Sequence, residues 1–322
     1  MEPSTTLLDI LQARTHVYRY LKPTPLHHYP TLSKLIGAET WIKHENHQPV
    51  GAFKVRGGLH LAATLTEEQK KGGLYTASTG NHGQSIAFAA RAFGIAATIA
   101  VPTGANKGKV AAMRGLGAEV IEHGQDFDTA REWIKNIAQE KGGYFVGPTD
   151  EPLIRGVGTY GLEIMEDLPE VDVIIVPVGA GSGACGTAIA AKTIKPEVKV
   201  IGVQSAQAPT QQKSWLSGTM KQADMKTIAE GLATRVPFSN TQVLMRKYLD
   251  DFILVDDSAI EQAVFLLLEH THNIAEEAGA ASLAAALSMQ ASLAGKNIVM
   301  VMSGGNIASV RLQSILKEYG AC

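Results

Sequence analysis

The chain has 322 residues, 45% of them hydrophobic and 19% charged, and a formal net charge of −2. These values exclude a disordered, collagen-like or disulfide-built chain, and they argue against nucleic acid or an anionic membrane surface as the main partner. Glycine, at 32 residues, is the unusual count; it weakens helices and strands, so a chain this rich in it needs its backbone close to something.

The start, Met1-Glu2-Pro3-Ser4-Thr5-Thr6, has no basic region followed by an apolar one, so no signal peptide is read. The Ala-rich stretch 280–293 is interrupted by Ser282, Ser288 and Gln290, and no transmembrane helix is expected. The cysteines, Cys185 and Cys322, are far apart; no structural disulfide is expected, which fits the cytoplasm. His270-Thr271-His272 is read as a helix-surface pair, because zinc sites group three or four ligands. No metal is expected.

In chain order, the first strand candidate is 40–45. After a turn at Gln48-Pro49 comes Gly51-Ala52-Phe53-Lys54-Val55-Arg56-Gly57-Gly58. Lys54 stands between an aromatic residue and glycines, just past a strand end, where open α/β sheets place their sites. Desolvated there, it would have a lowered pKa and could form a Schiff base. Thr66-x-x-Gln69 has the spacing of a capping box. The charged stretch 66–71 with Gly72-Gly73 reads as a linker, and Gly142-Gly143 as its return partner. This places a small domain at 70–145, inserted into a larger one formed by 1–69 and 146–322.

Strand 74–78 runs into Ala77-Ser78-Thr79-Gly80-Asn81-His82-Gly83-Gln84 and a helical stretch at 85–93. Asn81 is expected as the N-cap, and free N–H groups at such a turn form a carboxylate site. Strands follow at 97–101, 119–122 and 144–146. The most apolar one, 171–178, opens into Gly179-Ala180-Gly181-Ser182-Gly183-Ala184-Cys185-Gly186, small residues ahead of a helix that suit a phosphate. Residues 181–186 also match GxGxxG, but the next strand, 199–203, is followed by Gln204 where a dinucleotide site needs an acid. A dinucleotide reading would also leave Lys54 and the 78–83 loop without a role. Strand 252–255 precedes a second capping-box spacing, Ser258-x-x-Glu261. The last strand, 297–302, ends in Ser303-Gly304-Gly305-Asn306, a further ligand contact. Val/Ile-rich strands without polar alternation, separated by helices, define an α/β fold with parallel sheets.

These four loops, in this order, resemble the pyridoxal-phosphate enzymes of fold type II, and specifically their serine/threonine dehydratase and serine racemase group. The resemblance spans most of the chain. It implies two open, twisted, mostly parallel sheets of the tryptophan synthase β kind, with the smaller domain inserted in the larger. It also implies pyridoxal 5'-phosphate as cofactor and a homodimer. Lys54 is then the lysine that holds the cofactor, with Phe53 beside the ring. Gly179, Ala180, Gly181, Ser182 and Gly183 form the phosphate cup, Asn81 meets the ring hydroxyl, Gly231 lines the cofactor and Ser303 faces the pyridine nitrogen. Ser78, Thr79, Gly80, Asn81 and His82 form the loop for the substrate carboxylate. The implied reaction is α,β-elimination from a 3-hydroxy amino acid, with Lys54 taking the Cα proton, to give a 2-oxo acid and ammonia.

Departures from the family pattern add detail. Ala180 and Ser182 interrupt the glycines of the cup. No carboxylate follows Gln204 through Thr210, where metal-stimulated relatives carry them. The chain ends at Cys322, which leaves no room for a regulatory domain, so control by isoleucine is not expected. Arg155 and Val157 replace a small residue and a glutamine, which points to a less ordinary 3-hydroxy amino acid such as an aryl-serine, 3-hydroxyaspartate or a hydroxyectoine breakdown product, although Arg155 itself reads first as a surface ion-pairing residue. Thr79 keeps the hydroxyl of the racemase serine but adds a methyl, so elimination with some racemisation is expected. Asn81-His82-Gly83 sides with dehydratases against β-replacement enzymes. A non-catalytic relative would have lost Lys54 or the cup.

Overall fold

The computed structural model describes residues 4–320. The start of the chain at residues 1–3 and the pairing expected or excluded for Cys322 lie outside these residues; Cys185 is a buried free thiol.

Among the described residues, ten strands form two sheets. They are β1 (Leu26–His28), β2 (Glu39–His44), β3 (Leu74–Ala77), β4 (Ala97–Val101), β5 (Glu119–Glu122), β6 (Tyr144–Phe145), β7 (Val173–Pro177), β8 (Lys199–Ser205), β9 (Asp251–Val255) and β10 (Asn297–Met302). The larger sheet has the order β1-β2-β10-β7-β8-β9 and the smaller β5-β4-β3-β6. Every pairing is parallel except β1 with β2. All five residues of β7 are buried. Helices cover both faces of such a central strand, so it needs no polar alternation. β1 has no apolar run to announce it. It is a short, half-exposed edge strand, with Leu26 opposite Lys43 and His28 opposite Trp41.

The smaller sheet is built entirely from strands between residues 74 and 145. One face packs Ala77, Ala100, Ile134 and Ala138 together. The other shares a core with helix Lys54–Thr64, joining Val55 and Leu59 to Leu74, Ile86 and Ile99. The stretch expected as a linker is a helix, Glu67–Gly72, whose N-cap Thr66 makes the full capping box with Gln69. The glycine pairs at its end and at 142–143 do lie side by side, since a Cβ on Gly72 would collide with the carbonyl oxygen of Gly142.

The second expected capping box does not form. Helix Asp257–Thr271 begins before Ser258, with Asp256 at the N-cap position and no side-chain cap. Asp257 instead accepts from Ser205 Oγ, Thr227 Oγ1 and the Ile228 N–H, which ties the helix start to the end of β8. The same helix ends at His272, whose left-handed φ of 57° closes it, so His270 and His272 flank a helix end. Among the described residues, no helix is long and apolar enough to cross a membrane and no cluster of three or more His, Cys, Asp or Glu could hold a metal.

Candidate active site

The site forms where the C-terminal ends of β2, β3, β7 and β10 converge. From β2 the chain passes through a short 3-10 turn and enters helix Lys54–Thr64, so Lys54 is its first residue. The approach is pinned to β10: the Phe53 N–H donates to the Ser303 carbonyl, 3.1 Å, and Ala52 bridges Gly304. Phe53 meets Tyr160 edge-on, with ring centroids 6.0 Å apart. The Lys54 amine lies 5.3 Å from the Phe53 ring centre and has no ion-pair partner among the described residues. Burial lowers its pKa to about 8, with the Glu276 charge opposing the shift.

After β7 the chain turns into helix Ser182–Ile194 through Gly181, whose φ of 101° is left-handed and suits only glycine. The backbone N–H groups of Gly179, Ala180, Gly181, Ser182 and Gly183 all lack acceptors among the described residues. The buried Ser182 and Ser303 side chains also make no hydrogen bond there. Gly179 passes so close to the Gly231 carbonyl that any side chain would collide with it. A run of unpaired N–H groups at a helix N-terminus is an anion site.

The residues expected to bind the cofactor, Phe53, Lys54, Asn81, Gly179, Ala180, Gly181, Ser182, Gly183, Gly231 and Ser303, line one cleft, together with Leu232, Glu276 and Ala278. An amine without a counter-ion, an N–H cradle and two unpartnered hydroxyls fit a phosphorylated aldehyde cofactor. Pyridoxal phosphate would be held by Lys54 at its aldehyde carbon and by residues 179–183 at its phosphate.

The 78–83 loop differs from expectation in detail. Asn81 is not the N-cap: Gly80 holds that position, and Asn81 opens helix Asn81–Phe93 with its side chain turned toward the cleft. The Ser78 hydroxyl is already used, accepting from the Gly80 and Gly83 N–H groups at 3.0 and 2.8 Å. His82 is buried behind the loop. Burial and the Lys54 charge lower its pKa to about 3, so it is neutral. The N–H groups of Thr79, Asn81 and His82 stay unpaired among the described residues, leaving the loop able to receive a carboxylate through its backbone.

Arg155 pairs with Glu151 at 2.8 Å and lies 3.8 Å from Asp9, while Val157 is buried near Gly57. Neither lines the cleft, so neither gives a reason for an unusual substrate. Gln204 is buried at the end of β8. Its oxygen accepts from the Gln211 and Gln212 N–H groups, and its nitrogen donates to the Leu232 carbonyl and Thr234 Oγ1. A neutral amide thus joins the helix after β8 to the segment that carries Gly231.

Two residues at the cleft, Glu276 and Lys109, escape the sequence, and Asn306 is legible only as part of the last glycine loop. Glu276 lies in the cleft, Asn306 beside it, and Lys109 reaches from helix Lys107–Gly115 over Gly80 to pair with Glu230. Glu276 shows in the sequence only as an acid before an Ala-rich helix, and Asn306 only as the end of the last glycine loop.

Residues 17–304 match the family described as pyridoxal-phosphate dependent enzyme. The chain is 42% identical to the L-threonine ammonia-lyase of Thermotoga maritima over 315 residues, covering 97% of this chain and 78% of that protein. Its structure resembles the processed form of threonine deaminase isoform 2 from Solanum lycopersicum with a TM-score of 0.92 and 29% identity, covering 100% of this chain and 96% of the other. Maize serine racemase gives 0.91 and 31%, with 98% of both chains covered. The chain belongs to the pyridoxal-phosphate-dependent enzyme family, on the branch that holds the threonine ammonia-lyases and serine racemases.

Proposed function

We propose that this enzyme is an ammonia-lyase that eliminates water from a 3-hydroxy amino acid, threonine or serine first among them, the resulting enamine then tautomerising and taking up water to give a 2-oxo acid and ammonia. The observation that carries this reading is the unpaired Lys54 amine sharing one cleft with the N–H cradle of residues 179–183. The similarity to an L-threonine ammonia-lyase over 97% of the chain supports the substrate class.

Bound pyridoxal phosphate supplies an electron sink for the bonds at the amino acid's Cα. Lys54 Nζ then takes the Cα proton, and a pKa near 8 leaves an appreciable neutral fraction at neutral pH. Residues 179–183 and the Ser182 hydroxyl would hold the cofactor's phosphate, and Ser303 Oγ would face its ring nitrogen. A neutral Ser303 hydroxyl there would hold that nitrogen protonated less firmly than a carboxylate would. The unpaired N–H groups of Thr79, Asn81 and His82 orient the substrate carboxylate.

The unit 70–145 carries this loop and closes over the rest as a small domain, with Lys109 and Glu230 meeting across the mouth. The enzyme works in the cytoplasm as a homodimer. Sedimentation measures the assembly. The deciding experiment offers both stereoisomers of several 3-hydroxy amino acids and measures ammonia and 2-oxo acid. Release from threonine or serine is expected, and a colourless, inactive protein overturns the reading.

Thr79 governs the balance between elimination and racemisation. Thr79→Ala is expected to lose racemisation and keep ammonia release; chiral chromatography beside an ammonia assay reads both, and loss of both rejects the role.

A further inference from the structure

A directed chain of hydrogen bonds runs along one wall of the cleft. It begins at the Val50 carbonyl, which accepts from Asn306 Nδ2 at 2.8 Å. The same nitrogen donates to Asn81 Oδ1, also at 2.8 Å. Asn81 Nδ2 in turn donates to Glu276 Oε1 at 2.6 Å. A backbone carbonyl can only accept. The direction is therefore set from Val50 outward. Asn306 must present its nitrogen, Asn81 must turn its oxygen to Asn306, and its NH2 must face the carboxyl group. Side-chain amides are otherwise ambiguous in direction, but this chain admits one orientation.

Both outer members are held in place. A Cβ on Gly51 would lie 2.6 Å from Asn306 Oδ1, so the glycine leaves room for that amide. The Glu276 N–H donates to the Gly304 carbonyl at 3.0 Å. The segments before Lys54, after β10, before helix Glu277–Ser288 and at the head of helix Asn81–Phe93 thus meet at one amide. Asn306 takes the Asn81 oxygen and Glu276 takes one N–H. The second N–H is what remains for the cleft.

We propose that Asn306 and Glu276 are positioning residues that hold the Asn81 amide so that it offers the cleft a hydrogen-bond donor and never an acceptor. The inference rests on the cleft being the pyridoxal-phosphate site, with Asn81 beside the cofactor's ring oxygen. A donor there favours the ionised ring oxygen, and a reversed amide would set its own lone pairs against it.

The test uses the purified enzyme with its cofactor bound and records the visible absorption across pH together with kcat and KM. Asn306→Asp is nearly isosteric but can only accept from Asn81, so it forces the amide to reverse. Its absorption maximum and the pH dependence of that maximum are expected to shift, with kcat falling roughly 10- to 100-fold and KM moving less. Glu276→Leu removes the acceptor and is expected to shift the spectrum in the same direction. Glu276→Gln retains an acceptor oxygen and is expected to restore the wild-type spectrum. Wild-type spectra and kcat within twofold in both Asn306→Asp and Glu276→Leu would overturn the proposal. Should Asn306→Asp fail to fold by circular dichroism, Asn306→Leu, which cannot donate to the Asn81 oxygen, carries the same spectral expectation, and an unshifted spectrum in that variant would equally overturn the proposal. A wild-type enzyme that binds no pyridoxal phosphate would instead defeat the reading of the cleft itself.

Discussion

Lys54 and Arg56 stand two positions apart on one helix, and their surroundings are opposite. Arg56 is fully buried, and its guanidinium donates to both oxygens of Glu45 and both of Glu163, at 2.6 to 2.9 Å. Lys43 adds a second cation to Glu163 at 2.6 Å and donates to the Thr24 carbonyl. Burial opposes the charge on Arg56, but the two carboxylates outweigh it and push its pKa above its ordinary value. The same helix presents Lys54 with no carboxylate partner among the described residues, and there burial prevails and the pKa falls. Two cations and two carboxylates behind the cleft satisfy one another. The amine and N–H groups inside it are left for a ligand. The contrast separates a region that fixes the helix from one that stays chemically open.

The largest test of this contrast removes the open group. Lys54→Ala is expected to lower turnover by on the order of 10⁴-fold or more and to abolish the visible absorption of lysine-bound cofactor, while the fold is retained. Steady-state assays and a spectrum check both. A largely active variant would show that Lys54 is an ordinary lysine.

The second test breaks the closed region. Glu163→Leu leaves Lys43 without its buried carboxylate and Arg56 with only Glu45. Removing one partner of a buried pair costs about 3–5 kcal/mol, because the remaining charge is uncompensated. Urea unfolding measures it. A loss below about 1 kcal/mol would mean that water reaches the cluster and that it does not anchor the helix.

The third test reads the open cleft through pH. Burial raises the pKa of Glu276 to about 7, with Lys109 and the Asn81 hydrogen bond opposing the shift and Glu277 and Glu230 adding to it. Lys54 is the nearby cation that feels its charge. Between about pH 4.5 and 7 the native carboxyl holds a proton that the unfolded chain has released. Its contribution to stability is therefore complete below pH 4.5 and is lost as pH rises through 7. His82 acts in the opposite direction: its lowered pKa gives stability that is complete above about 6.5 and lost as pH falls toward 3. Comparing Glu276→Gln with the wild type cancels the histidine. The variant is expected to gain relative stability from pH 4.5 to pH 8, by on the order of 3 kcal/mol, in denaturant midpoints. A difference independent of pH would show that Glu276 is ionised throughout.

The sequence exposes the open region far better than the closed one. Lys54, residues 179–183 and Ser303 each sit in a contiguous loop after a strand, so short stretches of sequence carry them. Glu276 and Asn306 reach Asn81 across 195 and 225 residues, and no local pattern records that. The Arg56 cluster joins Thr24, Lys43, Glu45 and Glu163, of which the three ionisable residues read singly as solvated charges. The strands are legible because burial on both faces makes them continuously apolar, whereas β1 is not because half of it meets water. The glycine count by itself is too coarse a guide. Gly179 and Gly181 do border the cleft, but Gly57 and Gly58 serve packing between helices. A Cβ on Gly57 would lie 2.9 Å from the Leu153 carbonyl oxygen, and one on Gly58 would lie 2.5 Å from Ser85 Oγ.

That last contact gives the smallest test of the contrast. Ser85 Oγ donates to the Lys54 carbonyl at 2.5 Å. The backbone of Lys54 is therefore tied to helix Asn81–Phe93 although its side chain is free. Ser85→Ala removes one hydrogen bond and is expected to cost about 1 kcal/mol. Gly58→Ala forces a methyl against Ser85 and is expected to cost about 1–3 kcal/mol through overpacking. The two changes meet at one spot, so their effects should not add fully: losing the hydroxyl relieves the 2.5 Å contact but leaves the Ser85 carbonyl oxygen 2.7 Å from the new methyl, and the double variant should be somewhat more stable than the sum of the singles allows. Additive losses in chemical denaturation would mean that the Ser85 backbone carbonyl, and not its hydroxyl, sets the cost of the methyl.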